Sequence, residues 1–135
     1  MAVAVIIKFV FNFNTNGNDV LNMKMDIIFW IKVFVQLFGE ELYKILIFLV
    51  GLIIMYRLTK KRTLSIIVAT TISLVCFAFI HMTTYNSIIQ ILLLQGLASL
   101  FCMYNYLKTK NILTSYMQHV LFDAIPFILA MTGII

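Results

Sequence analysis

Residues 64–82 of the chain read LSIIVATTISLVCFAFIHM, a run that contains no Asp, Glu, Lys or Arg. Two similar apolar runs follow, at about residues 86–107 and 112–134. An α-helix of about 20 consecutive apolar residues is long enough to cross the hydrocarbon core of a bilayer. Each run therefore predicts a membrane-spanning helix.

The composition of the whole chain favours the same interpretation. Of its 135 residues, 63% are hydrophobic and 11% are charged, and the mean hydropathy is +1.05. So few polar side chains cannot cover the surface of a water-soluble globule. We therefore expect a lipid bilayer to surround the protein.

A fourth apolar segment precedes these runs, from Ile27 to Tyr56, and it carries four charges: Lys32, Glu40, Glu41 and Lys44. At ~1.5 Å per residue a helix of this length would span roughly 45 Å, which exceeds the thickness of the hydrocarbon core. We predict that this helix tilts, bends near Gly39 or begins outside the membrane.

The short connections between the apolar runs indicate how the chain crosses the membrane. Residues 59–62 read TKKR, residues 83–86 read TTYN, and residues 108–111 read KTKN. The first and third are basic and two crossings apart, so they lie on one side, which the positive-inside rule makes cytoplasmic. The sequence thus predicts an all-α fold, a polytopic transmembrane helix bundle with about four membrane-spanning helices, in the cell membrane.

Residues 27–135 are predicted to form a single transmembrane helical domain, because no internal repeat or long linker divides them. Residues 1–26 are expected to be an N-terminal segment at the membrane surface, with the remnant of a further helix as the alternative. The ten Lys and Arg exceed the five Asp and Glu but form no single basic face, so no nucleic-acid partner is expected. Cys76 and Cys102 lack CxxC spacing and are interpreted as core thiols.

Ionisable residues within apolar spans are costly and usually functional. Besides Lys32 near the start of the first segment, those in the predicted spans are Glu40, Glu41, Lys44, His81, His119 and Asp123. His119 and Asp123 are four residues apart and so lie on one helix face, and Phe77 and His81 share that spacing. Less specific interpretations stay open: interfacial glutamates, a histidine beside a loop, and a His–Asp pair that serves structure alone.

Together these side chains could supply a general base to activate water and groups to stabilise an oxyanion. Their order, Glu-Glu, then Phe-x-x-x-His, then His-x-x-x-Asp, resembles the CPBP intramembrane proteases. This is the family of type II CAAX prenyl endopeptidases and bacterial Abi proteins, whose motifs are EExxxR, FxxxH and HxxxN or HxxxD. The resemblance covers roughly residues 38–126 and rests on the motif positions.

The resemblance implies that Glu40 acts with His81 to activate the attacking water, and that His119 and Asp123 stabilise the oxyanion. The implied catalytic set is Glu40, Glu41, His81, His119 and Asp123. One position departs from the motif, because Ile45 stands where the arginine belongs. The nearest cation, Lys44, lies about 100° around the helix from that position, so Glu41 is held differently or not at all.

Whether the protein uses a metal ion stays open, because the family has been described both as metal-dependent and as metal-independent. The chain lacks the HExxH spacing that would predict zinc. The leading prediction is a glutamate-dependent intramembrane endopeptidase that cleaves a peptide or lipid-modified protein near the membrane. Peptide processing or bacteriocin self-immunity are the roles that the resemblance suggests. The alternatives are a family member without catalysis, acting as a membrane immunity or binding protein, and a small ion or proton pathway.

Overall fold

The computed structural model describes residues 26–82 and 88–131, leaving out the side chains of Gln90, Leu94 and residues 126–131. The predicted N-terminal segment 1–26 lies outside this part of the chain except for its last residue. The described residues form helices and turns without any strand, which confirms the all-α prediction.

The first helix, α1, runs from Ile27 to Thr59. It begins at Asp26, whose side chain accepts a hydrogen bond of 2.8 Å from the backbone N–H of Phe29 and so satisfies a free donor of the first turn. Its 33 residues are helical throughout, including Gly39, so no break occurs at the predicted bend. At ~1.5 Å per residue the helix is about 50 Å long.

Three further helices follow α1 in the part of the chain that the structure describes. Helix α2 spans Arg62–Phe79, and helix α4 spans Ile112–Met131. Helix α3 lies between them and has three consecutive pieces: α-helical Ile88–Ile91, π-helical Leu92–Leu97 and α-helical Ala98–Thr109. These bounds agree with the predicted spans to within a few residues, except that α2 ends before His81, which lies in a turn.

The two basic turns have the same local structure. Lys60 and Lys110 both adopt a left-handed backbone conformation, with φ of 56° at each. The hydroxyls of Thr59 and Thr109 accept hydrogen bonds from the second backbone N–H beyond them, at 3.2 and 3.3 Å. Each turn therefore reverses the chain within two residues, which makes α1–α2 and α3–α4 close helical hairpins.

The helices pack around Phe48 of α1, Ala69 of α2 and Met103 of α3, which are buried together. Small residues allow the closest approaches. A Cβ atom on Gly51 would lie 3.4 Å from that of Ala69, and one on Gly96, in the π-helical turn, would lie 3.6 Å from that of Ala78. This packing of α2 against both neighbours is typical of membrane helices, where small residues let backbones approach.

One helix among the described residues, Arg62–Phe79, is by itself long and apolar enough to be a candidate membrane span. Its most apolar window has a mean hydropathy of 1.8. Large apolar side chains also cover much of the outer surface of the other helices, including Ile27, Val50, Ile53, Phe101 and Leu121, which are at least half exposed. The described residues thus form four helices, and four membrane crossings stay a prediction.

Candidate active site

The carboxylate of Glu40 lies between two imidazoles that the chain contributes from distant positions. Its Oε2 atom is 3.8 Å from Nε2 of His81 and 4.0 Å from Nε2 of His119. The same nitrogen of His119 is 3.8 Å from Oδ2 of Asp123. Glu40, His81, His119 and Asp123 therefore form one continuous group of ionisable side chains, drawn from α1, α4 and the turn after α2.

The orientation of His81 follows from its position just beyond the end of α2. Its Nδ1 atom lies 3.1 Å from the backbone carbonyl oxygen of Phe77, four residues earlier. Because a carbonyl only accepts hydrogen bonds, Nδ1 carries the proton in this contact, and the other ring nitrogen, Nε2, faces Glu40. The turn thus presents Nε2 of His81 to the carboxylate of Glu40.

The ring of Phe77 contacts both histidines. It is fully buried, and its ring packs edge-on against His81 at 4.9 Å between centroids and against His119 at 6.1 Å. The Nζ atom of Lys44 lies 4.9 Å from the centroid of the same ring. The ring of Phe77 therefore contacts both imidazoles and the buried cation, and it limits where the imidazoles can move.

The neighbouring glutamate, Glu41, has a different environment. Its side chain is fully buried and forms a salt bridge of 2.7 Å with the equally buried Lys44. The hydroxyl of Ser115 donates a hydrogen bond to its other oxygen, Oε1, and lies 2.6 Å from the carbonyl oxygen of Cys102. Glu41 thus joins α1 to α4 in the interior, and Ser115 extends this contact to α3. The side chain of Glu40, in contrast, is 14% exposed.

Glu41 also contacts the histidine of α4. Nδ1 of His119 lies 3.2 Å from Oε2 of Glu41, close enough for an ion pair although not aligned as a hydrogen bond. The two ring nitrogens of His119 therefore face the two glutamates, Nδ1 toward Glu41 and Nε2 toward Glu40. Adjacent residues on a helix point about 100° apart, which lets the pair reach both nitrogens of one ring.

Three side chains at the site were absent from the set inferred from the sequence. Gln36 donates a 2.8 Å hydrogen bond to Oε1 of Glu40, Lys44 pairs with Glu41, and Ser115 binds Glu41 from α4. All three stand three or four residues along a helix from Glu40, Glu41 or His119, a spacing that could have indicated them. Of the two possibilities left open at Ile45, Glu41 is held differently, since Lys44 reaches it from position i+3.

Glu40 and His119 lie at different distances along their helices from the two basic turns. Along α1, Glu40 lies roughly 30 Å from Lys60, whereas along α4 His119 lies roughly 12 Å from Asn111, at ~1.5 Å per residue. Their side chains nevertheless approach within 4.0 Å. Counting residues from the two turns therefore does not by itself show that these side chains meet.

The site remains reachable from outside the helices. The side chain of Asp123 is 44% exposed, and those of His81 and Glu40 are 16% and 14% exposed. Among the described residues, no group of three or more His, Cys, Asp or Glu side chains has a geometry that could hold a metal ion. The chemistry that follows from the geometry is acid–base chemistry between a carboxylate and an imidazole.

Comparison with known proteins bears on this constellation. The family model described as Type II CAAX prenyl endopeptidase Rce1-like matches residues 24–125, which contain all the site residues named above. Neither the curated proteins nor the solved structures include a significant match. The match covers more than half of the chain and agrees with the resemblance carried by the three motifs, and the protein therefore belongs to the family of type II CAAX prenyl endopeptidases.

Proposed function

We propose that this protein is a glutamate-dependent intramembrane endopeptidase that cleaves a peptide or lipid-modified protein near the membrane surface. The observation that carries the proposal is the position of the Glu40 carboxylate, 3.8 and 4.0 Å from the Nε2 atoms of two histidines. Membership of the CAAX-type family supports the reaction class. The lipid bilayer and a peptide or protein substrate are the partners.

Glu40 is the general base in the proposed mechanism. A water molecule between Oε2 of Glu40 and Nε2 of His81 contacts both atoms, and the carboxylate removes its proton as the oxygen attacks the scissile carbonyl carbon. The hydrogen bond from Gln36 occupies the other oxygen of Glu40, so Oε2 is the one directed at the histidines. The new C–O bond and the proton on Glu40 form in the same step.

The opposite side of the site stabilises the oxyanion. In the proposed mechanism the Nε2–H group of His119, which faces the site beside Glu40, donates a hydrogen bond to the oxyanion, and Oδ2 of Asp123 lies 3.8 Å from the same nitrogen. Collapse of the tetrahedral intermediate breaks the C–N bond, and Glu40 passes its proton to the leaving amine. The hydroxyl group of the water thereby ends on the new carboxyl group and its proton on the amine, and Glu40 returns to its ionised state.

The same proposal includes four membrane crossings in the cell membrane. Three observations support it: the exposed apolar side chains on the outside, the buried ionisable groups inside, and basic residues in both the α1–α2 and α3–α4 turns. This distribution of side chains suits a protein surrounded by lipid, which solvates apolar surfaces and disfavours exposed charges.

Two other functions are distinguished from this one, the first by the geometry of the site and the second by experiment. A proton pathway requires ionisable side chains in a file across the membrane, whereas here Glu40, His81, His119 and Asp123 form a compact group, which disfavours it. A member without catalysis, acting in immunity or binding, would keep its cellular phenotype when Glu40 is replaced. In the cell, the endopeptidase would serve peptide processing or bacteriocin self-immunity.

The test is cleavage of a quenched fluorescent peptide library by the full chain reconstituted in lipid vesicles. We expect wild-type protein to cleave a subset of peptides and Glu40→Gln to lower the rate by about 10²- to 10⁴-fold, since the general base is lost. Lys108→Met, which removes an exposed charge near the α3–α4 turn, is the control and should cleave normally. Equal cleavage by wild type and Glu40→Gln would reject the proposed function.

A further inference from the structure

The buried cation Lys44 has no place in the mechanism described above, and its environment is unusual. Both Lys44 and its partner Glu41 are fully buried, and 2.7 Å separates Nζ from Oε2. The backbone at this position is tied to the neighbouring helix, since the hydroxyl of Ser73 donates a 2.6 Å hydrogen bond to the carbonyl oxygen of Lys44. A charged pair so completely removed from solvent is costly to build and disruptive to break from one side.

The contacts of Glu41 connect this pair to the active site. Lys44 and Nδ1 of His119 both face the same carboxylate oxygen, Oε2, at 2.7 and 3.2 Å. The hydroxyl of Ser115 donates a hydrogen bond to the other oxygen, Oε1. Oε2 of Glu41 thus lies between the buried cation and the ring nitrogen of His119 that points away from Glu40.

From these contacts we infer that Lys44 is a positioning residue that takes over, from position i+3, the place of the arginine that the motif has at position 45. Lys44 fixes Glu41, Glu41 holds Nδ1 of His119, and Nε2 of His119 is thereby directed into the site. The two adjacent glutamates have different tasks as a result, because Glu40 faces the reacting atoms and Glu41 orients the imidazole. Lys44 itself touches no substrate, since it has no exposed surface.

The inference rests on the proposed function for its kinetic consequence but has a readout that does not need activity. The chain contains two histidines, so in ¹⁵N-histidine-labelled protein in lipid nanodiscs the imidazole signals of His119 are distinguished from those of His81 by one His81→Asn sample. We expect Lys44→Met to shift the His119 nitrogen resonances, because Glu41, which faces Nδ1, is no longer fixed by Lys44. Lys108→Met, which removes the same charge at an exposed site, should leave them in place. A folded Lys44→Met variant with unshifted His119 resonances would overturn the inference.

A second variant covers the case in which Lys44→Met does not fold. Removing the lysine alone leaves a buried carboxylate without its counter-charge, whereas Glu41→Gln/Lys44→Met removes both charges together. We expect the double variant to recover the folded yield while its His119 resonances stay shifted. A double variant that folds no better than Lys44→Met, or that has wild-type His119 resonances, contradicts the coupling of the three residues.

The kinetic readout uses a peptide that the wild-type protein cleaves. Misplacing a catalytic group by about 1 Å costs on the order of 100-fold in rate, so Lys44→Met should lower kcat by about that factor and leave KM nearly unchanged. A change confined to KM would contradict a positioning role. If the wild-type protein cleaves no peptide, the proposed function fails, and the His119 resonances still decide the inference about Lys44.

Discussion

Oε2 of Glu40 faces Nε2 of His81 across 3.8 Å, although the two residues belong to different parts of the chain and His81 lies beyond the end of its helix. The contact of Nδ1 with the carbonyl of Phe77, at 3.1 Å, holds the imidazole in this orientation. A separation of this size exceeds a direct hydrogen bond and suits a shared water molecule.

This geometry predicts that the position of the carboxylate matters as much as its charge. Glu40→Asp keeps the charge but withdraws the carboxylate by about 1.5 Å, one carbon–carbon bond, from both histidines. We expect kcat in the peptide assay to fall on the order of 100-fold while KM changes little, since the substrate contacts are kept. A Glu40→Asp variant that retains the wild-type kcat would show that Glu40 does not act through the contact with His81.

Ser115 is predicted to stabilise the fold through Glu41. Ser115→Ala leaves one oxygen of a fully buried carboxylate without its donor, which costs about 1–3 kcal/mol of unfolding free energy. Denaturant titration in detergent micelles measures the change. Thr71→Ala is the matched control, because it removes an exposed hydroxyl bonded within its own helix and should cost less than about 0.5 kcal/mol. Equal effects of the two substitutions would contradict the assigned role of Ser115.

The close approach of α1 and α2 is predicted to depend on Gly51. A Cβ atom at this position would already contact Ala69 at 3.4 Å, so the larger Gly51→Leu side chain must push the helices apart. We expect destabilisation by about 1–3 kcal/mol in the same titration. Gly39→Leu, where nothing lies within 4 Å of the added Cβ atom, should leave stability unchanged or slightly raised. The prediction fails if both leucine variants are equally stable.

The predicted topology places both basic turns on the cytoplasmic side and the end of α2 on the other. In a background with Cys76→Ala and Cys102→Ala, single cysteines at the exposed positions Lys61, Lys108 and Met82 report their side through a membrane-impermeant maleimide. We expect Lys61→Cys and Lys108→Cys to react in inside-out vesicles and Met82→Cys in intact spheroplasts. Reaction of Lys61→Cys and Lys108→Cys from opposite sides would rule out two crossings between the turns.

Much of the architecture could be predicted from the sequence, for a local reason. The apolar runs and the basic turns between them indicate four helices within a few residues of those observed, because helix length and helix ends depend on neighbouring residues along the chain. Spacing likewise placed His119 and Asp123 on one face, since residues four apart meet in any α-helix. The family resemblance, from three short motifs, agrees with the family match.

What only the tertiary structure decided is which side chains of different helices meet. Glu40 and His119 lie at different distances along their helices from Lys60 and Asn111, yet their side chains lie 4.0 Å apart, because the placement of one helix against another arises from packing between them. The pattern at Ile45 left open how Glu41 is held, and only the arrangement of α1 against α4 shows Lys44 and Ser115 on either side of it. The sequence alone determined the helices and the candidate residues, whereas the packing of α1, α2 and α4 assigned the two adjacent glutamates to different surroundings.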